Sequence, residues 1–452
     1  MDKGLLRKLP SIEELMKTDE LIRLTEDHDR ELIVDIARSV MDEVRSGIKN
    51  GAAETSIEDI CQTVVMRVNE KFAPSMRHAI NATGIILHTG LGRAMLSQTA
   101  CAAVSDTIRG YCTLATDLDT GQRGSRDVHL SSLLCDLTGA EAATIVNNNA
   151  AATMIILNTL ARGKEVIVSR GQLVEIGGSF RMPEVMEMSG AVLREIGTTN
   201  KTHMRDYAKA INENTGAILR VHQSNYRIVG FTSEPSIQEL APLAREHGLP
   251  IIDDLGSGAL VDLKAYGLEP EPMVRDSITA GIDAACFSGD KLIGGPQSGI
   301  IVGKKDTIQK IKKNPLARAL RVGKLEVAAM EATLKLFLDP SKLNERHPTY
   351  RMLSIGLDEL DRRAKCVAEK LSNVSVVDGK SQVGSGSVPA ETLPTKLLAV
   401  KPSGMSADAF ARKLRYSNPP IFARIHQDTV LFDFRTIQPE EDEAVIAAIC
   451  YL

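Results

Sequence analysis

The sequence predicts an α/β protein with a mostly parallel central sheet. Short apolar runs alternate with helical stretches between about Ile80 and Lys305, a pattern typical of parallel strands joined by helices. The 452 residues are enough for two or three domains, and 43% apolar with 25% charged residues is ordinary for a globular protein. Polar residues also follow several apolar runs directly, at the positions where such sheets bind ligands.

Composition narrows the class of protein. The net charge of −4 gives no overall attraction to nucleic acid, so contact with RNA would need a local basic patch. The seven cysteines contain no CxxC pair and favour reduced thiols over a disulfide framework or a zinc site. The N-terminus has no apolar signal segment, and the best apolar window, "AATMIILNTLA", is too short to span a membrane. We expect a cytoplasmic protein that contacts no membrane.

Residues 1–73 are predicted to form a small helical domain. "LPSIEELMK" contains a capping box, in which Ser11 precedes Glu14 by three residues. "RELIVDIARSVMDEVRSGI" and "SIEDICQTVVMRVNEKFAP" place apolar residues at helical spacing, and Pro74 closes the region. Acids outnumber bases here, although the basic residues cluster. These basic residues are Lys3, Arg7, Lys8, Arg38, Arg45 and Lys49.

Residues 74–340 are predicted to form the α/β core, and residues 341–452 a smaller α+β domain. The predicted core strands are "AATIVNN", "KEVIVSR", "AVLREIG", "GAILRVH", "LPIIDD", "DAACFS" and "GIIVG". "LEVAAMEATLKLFLDP" is predicted to be an amphipathic helix that ends at Asp339 and Pro340.

Three segments of the core carry possible chemistry. "IVNNNAAATMIILNTLA" is a strand end followed by a helix N-terminus, which binds phosphate or is an ordinary helix cap. "LPIIDDLGSGAL" places carboxylates at a strand end, where an acid can protonate a heteroaromatic ring nitrogen or simply be solvated. "FSGDKLIGGP" offers Ser288 for a phosphate contact and Lys291 for a Schiff base, provided that the pKa of the lysine is lowered. A surface lysine in a turn is the alternative.

The order of these segments is more informative than each one alone. A phosphate site, then a strand-end acid, then a lysine preceded by a serine is the layout expected for pyridoxal phosphate on an α/β sheet. Competing motifs are poor, since "TGLGRA" lacks the third glycine of a dinucleotide fingerprint and neither a P-loop nor HExxH occurs. Among the histidines, His129 stands out because it lies close to Arg123 and Arg126 in sequence.

Long motifs along nearly the whole chain resemble the bacterial selenocysteine synthase family, the L-seryl-tRNA(Sec) selenium transferases. They include "INATGIILHTGLGRA", "TGAEAATIVNNNAAAT", "INENTGAILRVHQSNYRIVGF", "DLGSGALVDLKAYGL", "FSGDKLIGGPQSGIIVGKK", "NPLARALRVGKLEVAAMEATLKLFLDP" and "QVGSGSVP".

The resemblance implies a fold-type-I pyridoxal phosphate enzyme that acts on serine esterified to selenocysteine tRNA. The serine amine would displace the lysine, and loss of the α-proton and the β-hydroxyl would give a dehydroalanyl-tRNA. Selenium from selenophosphate would then add to that alkene. The resemblance also implies a homo-oligomer, a ring of dimers, whose N-terminal helical domain holds the tRNA.

The resemblance assigns roles to individual residues. Lys291 matches the Schiff-base lysine, and Asp290 beside it looks like an acid/base helper. Asp254 looks like the ring-nitrogen acid, with Asp253 as the alternative. The residues that would hold the cofactor phosphate are Asn148, Asn149 and Ser288.

The substrate side is assigned in the same way. Arg93, Arg318 and Arg321 match arginines that grip the selenophosphate oxyanion, a role suited to the bidentate guanidinium. The spacing of Arg318 and Arg321 predicts that both lie on one helix face. Asn225 resembles a substrate-side polar residue.

The chain departs from the family pattern at three places. Gly90 stands where asparagine is usual, and Gln172 where glutamate is usual. "CTLATDLDTGQRGSR" also differs from the usual residues before the glycine. These departures concern the substrate side and leave the cofactor residues intact.

Two other functions remain open. One is a related pyridoxal phosphate lyase acting on a small amino acid, a class that does not need the N-terminal helical domain. The other is a binding protein that keeps the fold without the chemistry. The presence of Lys291, Arg318 and Arg321 argues against the second.

Overall fold

The computed structural model describes residue 6 and residues 8–50, 55–178, 180–389 and 391–451. The chain divides into two compact units, one up to His78 and one from Ala79 onward. Within the described ranges, no helix is both long enough and apolar enough to cross a membrane.

The first unit is helical, as its sequence predicts. Its helices are α1 (Ile12–Leu15), α2 (Asp19–Asp27), α3 (Arg30–Lys49) and α4 (Ile57–Phe72). The predicted capping box is present, since the backbone N–H of Glu14 donates to Ser11 and the Glu14 carboxylate accepts from the Ser11 backbone. The apolar faces of these helices meet in one buried cluster that contains Leu21, Ile33 and Val64.

The basic residues on α3 have acidic neighbours on the same helix. Arg38 Nη1 lies 3.0 Å from Asp35, and Arg45 Nη1 lies 2.8 Å from Asp42. Both pairs are exposed, and exposed pairs of this kind contribute little stability. Lys3 and Arg7, which belong to the predicted basic cluster, lie outside the described residues.

A seven-stranded sheet forms the centre of the second unit, in the order β2-β10-β9-β8-β7-β3-β6. Its strands are β2 (Ala142–Val146), β3 (Glu165–Ser169), β6 (Val192–Ile196), β7 (Thr215–Val221), β8 (Ile251–Gly256), β9 (Ala284–Ser288) and β10 (Gly299–Gly303). The strands from β9 to β6 pair in parallel, whereas β10 is antiparallel to both of its neighbours. The seven apolar runs are these seven strands, so the predicted mostly parallel sheet is confirmed.

Helices cover both faces of this sheet. They are α5 (Gln98–Ile108), α6 (Val128–Thr138), α7 (Asn149–Ala161), α8 (Met182–Met188), α9 (Met204–Ala210), α10 (Ile237–Glu246), α11 (Val274–Thr279), α12 (Lys305–Lys313), α13 (Leu316–Ala319), α14 (Lys324–Leu336), α15 (Leu343–Arg346) and α16 (Pro348–Ser354). Helices α7, α8 and α12 share one apolar cluster with the sheet, and α6, α9, α10, α11 and α14 share the other. Apart from the edge strand β6, most of which is exposed, the sheet is buried on both faces, which leaves its strand ends as the places where polar side chains reach a cavity.

A second, five-stranded sheet has the order β1-β13-β14-β12-β11. Its strands are β1 (Ile80–Ala82), β11 (Val374–Ser381), β12 (Leu393–Val400), β13 (Ile421–His426) and β14 (Thr429–Asp433), and its helices are α17 (Leu357–Ala368), α18 (Ala407–Arg415) and α19 (Asp442–Tyr451). A short hairpin joins β4 (Glu175–Ile176) and β5 (Phe180–Arg181). Because β1 pairs with β13, this sheet contains strands from both sides of residue 340. The domain boundary expected at that residue stays a prediction.

Candidate active site

The carboxyl ends of β7, β8 and β9 meet at one edge of the central sheet, because these strands are adjacent and parallel. A cavity of about 460 Å³ lies at this edge. Eight of the ten site residues predicted from the sequence line it: Arg93, Asn148, Asn149, Asn225, Asp254, Ser288, Asp290 and Lys291. Sequence segments almost 200 residues apart are thus brought to one site.

Lys291 lies in the turn that follows β9, and only 6% of it is exposed. Burial lowers the pKa of its amine, and the nearby positive charge of Arg93 lowers it further. The turn needs glycine, since Gly294 has φ 68° and a Cβ there would lie 2.0 Å from the ring of the buried His347. A buried amine with a lowered pKa is suited to act as a nucleophile toward a carbonyl group.

Asp254 faces the cavity from β8. Its carboxylate accepts hydrogen bonds from Asn149 Nδ2 at 2.7 Å, Thr153 Oγ1 at 2.9 Å and the Gly256 backbone at 3.2 Å. Burial raises the pKa of Asp254, although these donors and the charge of Lys291 act in the opposite direction. Among the described residues, no basic side chain donates to this carboxylate, so it can stabilise a cation that enters the cavity.

Asp253 points to the opposite side of β8, as successive residues of a strand do. Arg220 grips its carboxylate with Nε and Nη2 at 2.7 and 2.6 Å, and Ser277 Oγ donates to it at 2.5 Å. This carboxylate is fully buried and does not line the Lys291 cavity. Of the two adjacent acids, Asp254 is the one placed at the site.

The two asparagines at the start of α7 have different partners. Asn148 Oδ1 accepts from the Ala151 backbone and caps the helix, and its amide nitrogen has no hydrogen-bond partner among the described residues. Asn149 Nδ2 donates to Asp254, whereas its Oδ1 is buried without a hydrogen-bond partner within the described chain. The asparagine turn therefore both begins the helix and orients the acid, a second role that the sequence did not indicate.

Arg93 and Asp290 form an ion pair at the cavity, with Nη1 2.6 Å from Oδ2. Asp290 is 6% exposed. Arg93 has φ 64° and follows Gly92, with φ 92°, so the chain makes a left-handed turn that carries the guanidinium to the site. Non-glycine residues in this conformation cluster at functional sites.

Several residues at the site carry no recognised signal in the sequence. Thr153 does not line the cavity but donates to Asp254, and it lies one helical turn beyond Asn149, a spacing that could have indicated it. Ser224 follows β7 and has no distinguishing pattern. Ser385 and Gly386 belong to the "QVGSGSVP" motif, which reaches the cavity from more than 90 residues beyond Lys291. Only the tertiary structure could place it there.

Arg318 and Arg321 do not line the Lys291 cavity. They line a second cavity of about 460 Å³ together with Arg123 and Arg126, so the basic residues near His129 share this second site. Helix α13 ends at Ala319, and Arg321 lies beyond it. The prediction that both arginines lie on one helix face is therefore wrong, although both side chains reach the same cavity.

Two of the three departures from the family pattern, Gln172 and Gly90, lie beside residues that line the Lys291 cavity, whereas the segment "CTLATDLDTGQRGSR" contributes Ala115 and Arg123 to another cavity. Gln172 is buried, where its Nε2 donates to Glu234 and its Oε1 accepts from the Val221 backbone. A glutamate there would place a second carboxylate against Glu234, and the amide removes that repulsion. Gly90 lies in the turn next to Thr89, which lines the cavity.

The residues present fit pyridoxal phosphate. Lys291 supplies a buried amine for the aldehyde, and Asp254 supplies a buried carboxylate for the pyridine nitrogen. The N-terminus of α7 and Ser288 supply donors for the phosphate. Asn149 Oδ1 and Ser224 Oγ are buried without hydrogen-bond partners within the described chain, as expected of a cavity wall that awaits a polar ligand.

Solved structures show the same fold. D-glucosaminate-6-phosphate ammonia-lyase superimposes with a TM-score of 0.59 at 20% identity, over 84% of this chain and 96% of that one. The predicted fold-type-I class is confirmed.

Sequence relatives are much closer. The family model "L-seryl-tRNA selenium transferase" matches residues 79–438, and the model "Selenocysteine synthase N terminal" matches residues 6–45. The L-seryl-tRNA(Sec) selenium transferase of Carboxydothermus hydrogenoformans is 46% identical over 97% of this chain and 95% of its own length. That of Alkaliphilus metalliredigens is 47% identical over 99% of both chains. The chain belongs to the L-seryl-tRNA selenium transferase family.

Proposed function

We propose that this protein converts L-seryl-tRNA(Sec) into L-selenocysteinyl-tRNA(Sec) in the cytoplasm, with pyridoxal phosphate as cofactor and selenophosphate as selenium donor. Loss of the serine hydroxyl leaves a dehydroalanyl-tRNA, to which selenium adds. The observation that carries the proposal is that the buried Lys291 and the buried Asp254 line one cavity together with the first residues of α7. A turnover assay with seryl-tRNA(Sec) and selenophosphate tests it, with mass spectrometry of the aminoacyl group as readout. Free serine serves as the control substrate.

When bound, pyridoxal phosphate supplies an electron sink for the α-carbon of serine. Asp254 would keep the ring nitrogen protonated, and Asn149 and Thr153 orient Asp254. Lys291 would hold the cofactor and would accept the α-proton, a role that the lowered pKa of its buried amine favours. Asp290, held by Arg93, assists the proton transfers.

The N-terminus of α7 would hold the phosphate. There the first backbone N–H groups after Asn148 and the amide nitrogen of that side chain would donate together with the Ser288 hydroxyl. Asn225 lies at the exposed rim, where its Nδ2 donates to the Glu175 backbone. We assign it to the substrate side.

Selenophosphate is proposed to bind between Arg93 of one copy and Arg318 and Arg321 of another. Within one chain, Arg93 lines the Lys291 cavity and the other two arginines line the second cavity. A homo-oligomer, with a ring of dimers as the proposed assembly, can bring them together. The arrangement would give the oxyanion three guanidinium groups.

Arg318→Ala is expected to slow selenium addition on the order of 10²-fold, the effect of losing hydrogen bonds from one charged group. Dehydration of the serine and binding of the cofactor should persist, because Arg318 does not line the Lys291 cavity. Trapping of dehydroalanyl-tRNA with a thiol measures the dehydration. The exposed Arg346 provides a matched Arg→Ala control. Loss of pyridoxal phosphate from Arg318→Ala would contradict the assignment.

Mixing Arg318→Ala chains with Lys291→Ala chains should restore activity if the sites are shared between copies.

The tRNA is proposed to bind the helical first unit. Removal of residues 1–73 should leave a soluble, yellow, oligomeric enzyme, because the second unit has its own apolar clusters. Affinity for seryl-tRNA(Sec) should fall roughly tenfold or more, since one of two linked contacts is lost, and turnover should disappear. A gel-shift titration measures this affinity. Equal affinity with and without the segment would assign these helices to assembly instead.

A further inference from the structure

Ser224 carries a hydroxyl that the protein leaves unpaired. The residue is fully buried, and its Oγ has no hydrogen-bond partner within the described chain. It lines the Lys291 cavity. Because a buried hydroxyl without a partner is unfavourable, a ligand in this cavity is the natural acceptor for it.

The backbone places this hydroxyl beside the end of β8. The His222 backbone N–H donates to the Asp254 carbonyl at 2.8 Å, and the Ser224 N–H donates to the His222 carbonyl at 2.8 Å. On the other side, Gly256 has φ 64°, and a Cβ there would lie 3.2 Å from Ser224 Oγ. Ser224 is therefore held next to Asp254, on the β7 side of β8.

The phosphate donors lie on the opposite side of Asp254. Ser288 ends β9, which neighbours β8 on the side away from β7. On the pyridine ring of the cofactor, the phosphate arm and the phenolic oxygen flank the carbon that carries the aldehyde. With the nitrogen at Asp254, the aldehyde toward Lys291 and the phosphate toward β9, the phenolic oxygen falls on the β7 side.

We infer that Ser224 donates a hydrogen bond to the phenolic oxygen of bound pyridoxal phosphate. The inference rests on the cofactor placement given under the proposed function. A donor at this oxygen stabilises its negative charge and so makes the bound chromophore less basic. Ser224 is thereby a residue that tunes the cofactor, distinct from the residues that anchor its nitrogen, aldehyde and phosphate.

The test is a pH titration of the visible absorbance of the purified holoenzyme, without tRNA or selenium donor. Ser224→Ala should raise the midpoint of the titration by roughly half to one pH unit, the equivalent of one neutral hydrogen bond. Ser224→Cys, whose thiol is a weak donor, should shift it less, in the same direction. An unchanged midpoint in both variants at full cofactor content overturns the inference.

Ser257→Ala is the matched control. Ser257 is also fully buried, but its Oγ donates to the Gly386 carbonyl and accepts from Ser387 Oγ. This variant should keep the wild-type midpoint and lower the Tm of the cofactor-free protein, whereas Ser224→Ala should not lower that Tm. An equal loss of Tm in Ser224→Ala would reveal a protein partner and overturn the inference. Because no tRNA is used, failure of turnover on seryl-tRNA(Sec) would count against the proposed function alone.

Discussion

Lys291→Ala is expected to reduce turnover on the order of 10³-fold or more, the usual scale for loss of a covalent catalytic group. The variant should also lose the yellow colour of the lysine-bound cofactor. In the wild-type protein, borohydride should fix the cofactor to the peptide that contains Lys291, and peptide mass spectrometry reads this out. The physical reason is that Lys291 combines burial with a lowered pKa in the cavity that holds Asp254.

Lys304→Ala is the matched control for this prediction. Lys304 is partly exposed at the end of β10 and pairs with Asp283 at 2.9 Å. It should keep its colour and activity. If borohydride fixed the cofactor to another lysine, the assignment of Lys291 as the cofactor-binding lysine would be wrong.

Asp254→Asn is expected to reduce turnover and Asp253→Asn to reduce stability, although the two residues are neighbours. Asp254→Asn should lower turnover on the order of 10²- to 10³-fold, because a neutral amide cannot hold the proton on the ring nitrogen. The cofactor-free protein should not lose stability, since burial raises the pKa of this carboxyl and the change removes a buried charge.

Asp253→Asn should instead destabilise the fold by about 3 kcal/mol, because it leaves the Arg220 guanidinium without its bidentate partner. Denaturant titrations of the cofactor-free proteins measure the stabilities, and single-turnover kinetics measure the chemistry. If Asp253→Asn lost the chemistry while Asp254→Asn kept it, the assignment of the ring acid would be reversed.

The local sequence pattern was enough to predict the strands of the central sheet. Each of the seven apolar runs has the length of a buried strand and ends in polar or glycine residues, and those signals lie within a few residues of one another. The strand-end position of Lys291 and the helix start after Asn148 follow from the same local signals. For the same reason, the capping box at Ser11 could be predicted.

The tertiary structure decided which side each polar residue faces. Both faces of β8 are buried, so no alternation of polar and apolar residues tells Asp253 from Asp254. The choice depends on Arg220 from β7 and on Asn149 and Thr153 from α7. The position of Arg318 and Arg321 could not be predicted either, because their distance from Lys291 in sequence does not determine which cavity they line. Strand periodicity determines that side chains alternate, but only the neighbours packed against each face determine which of them enters the site.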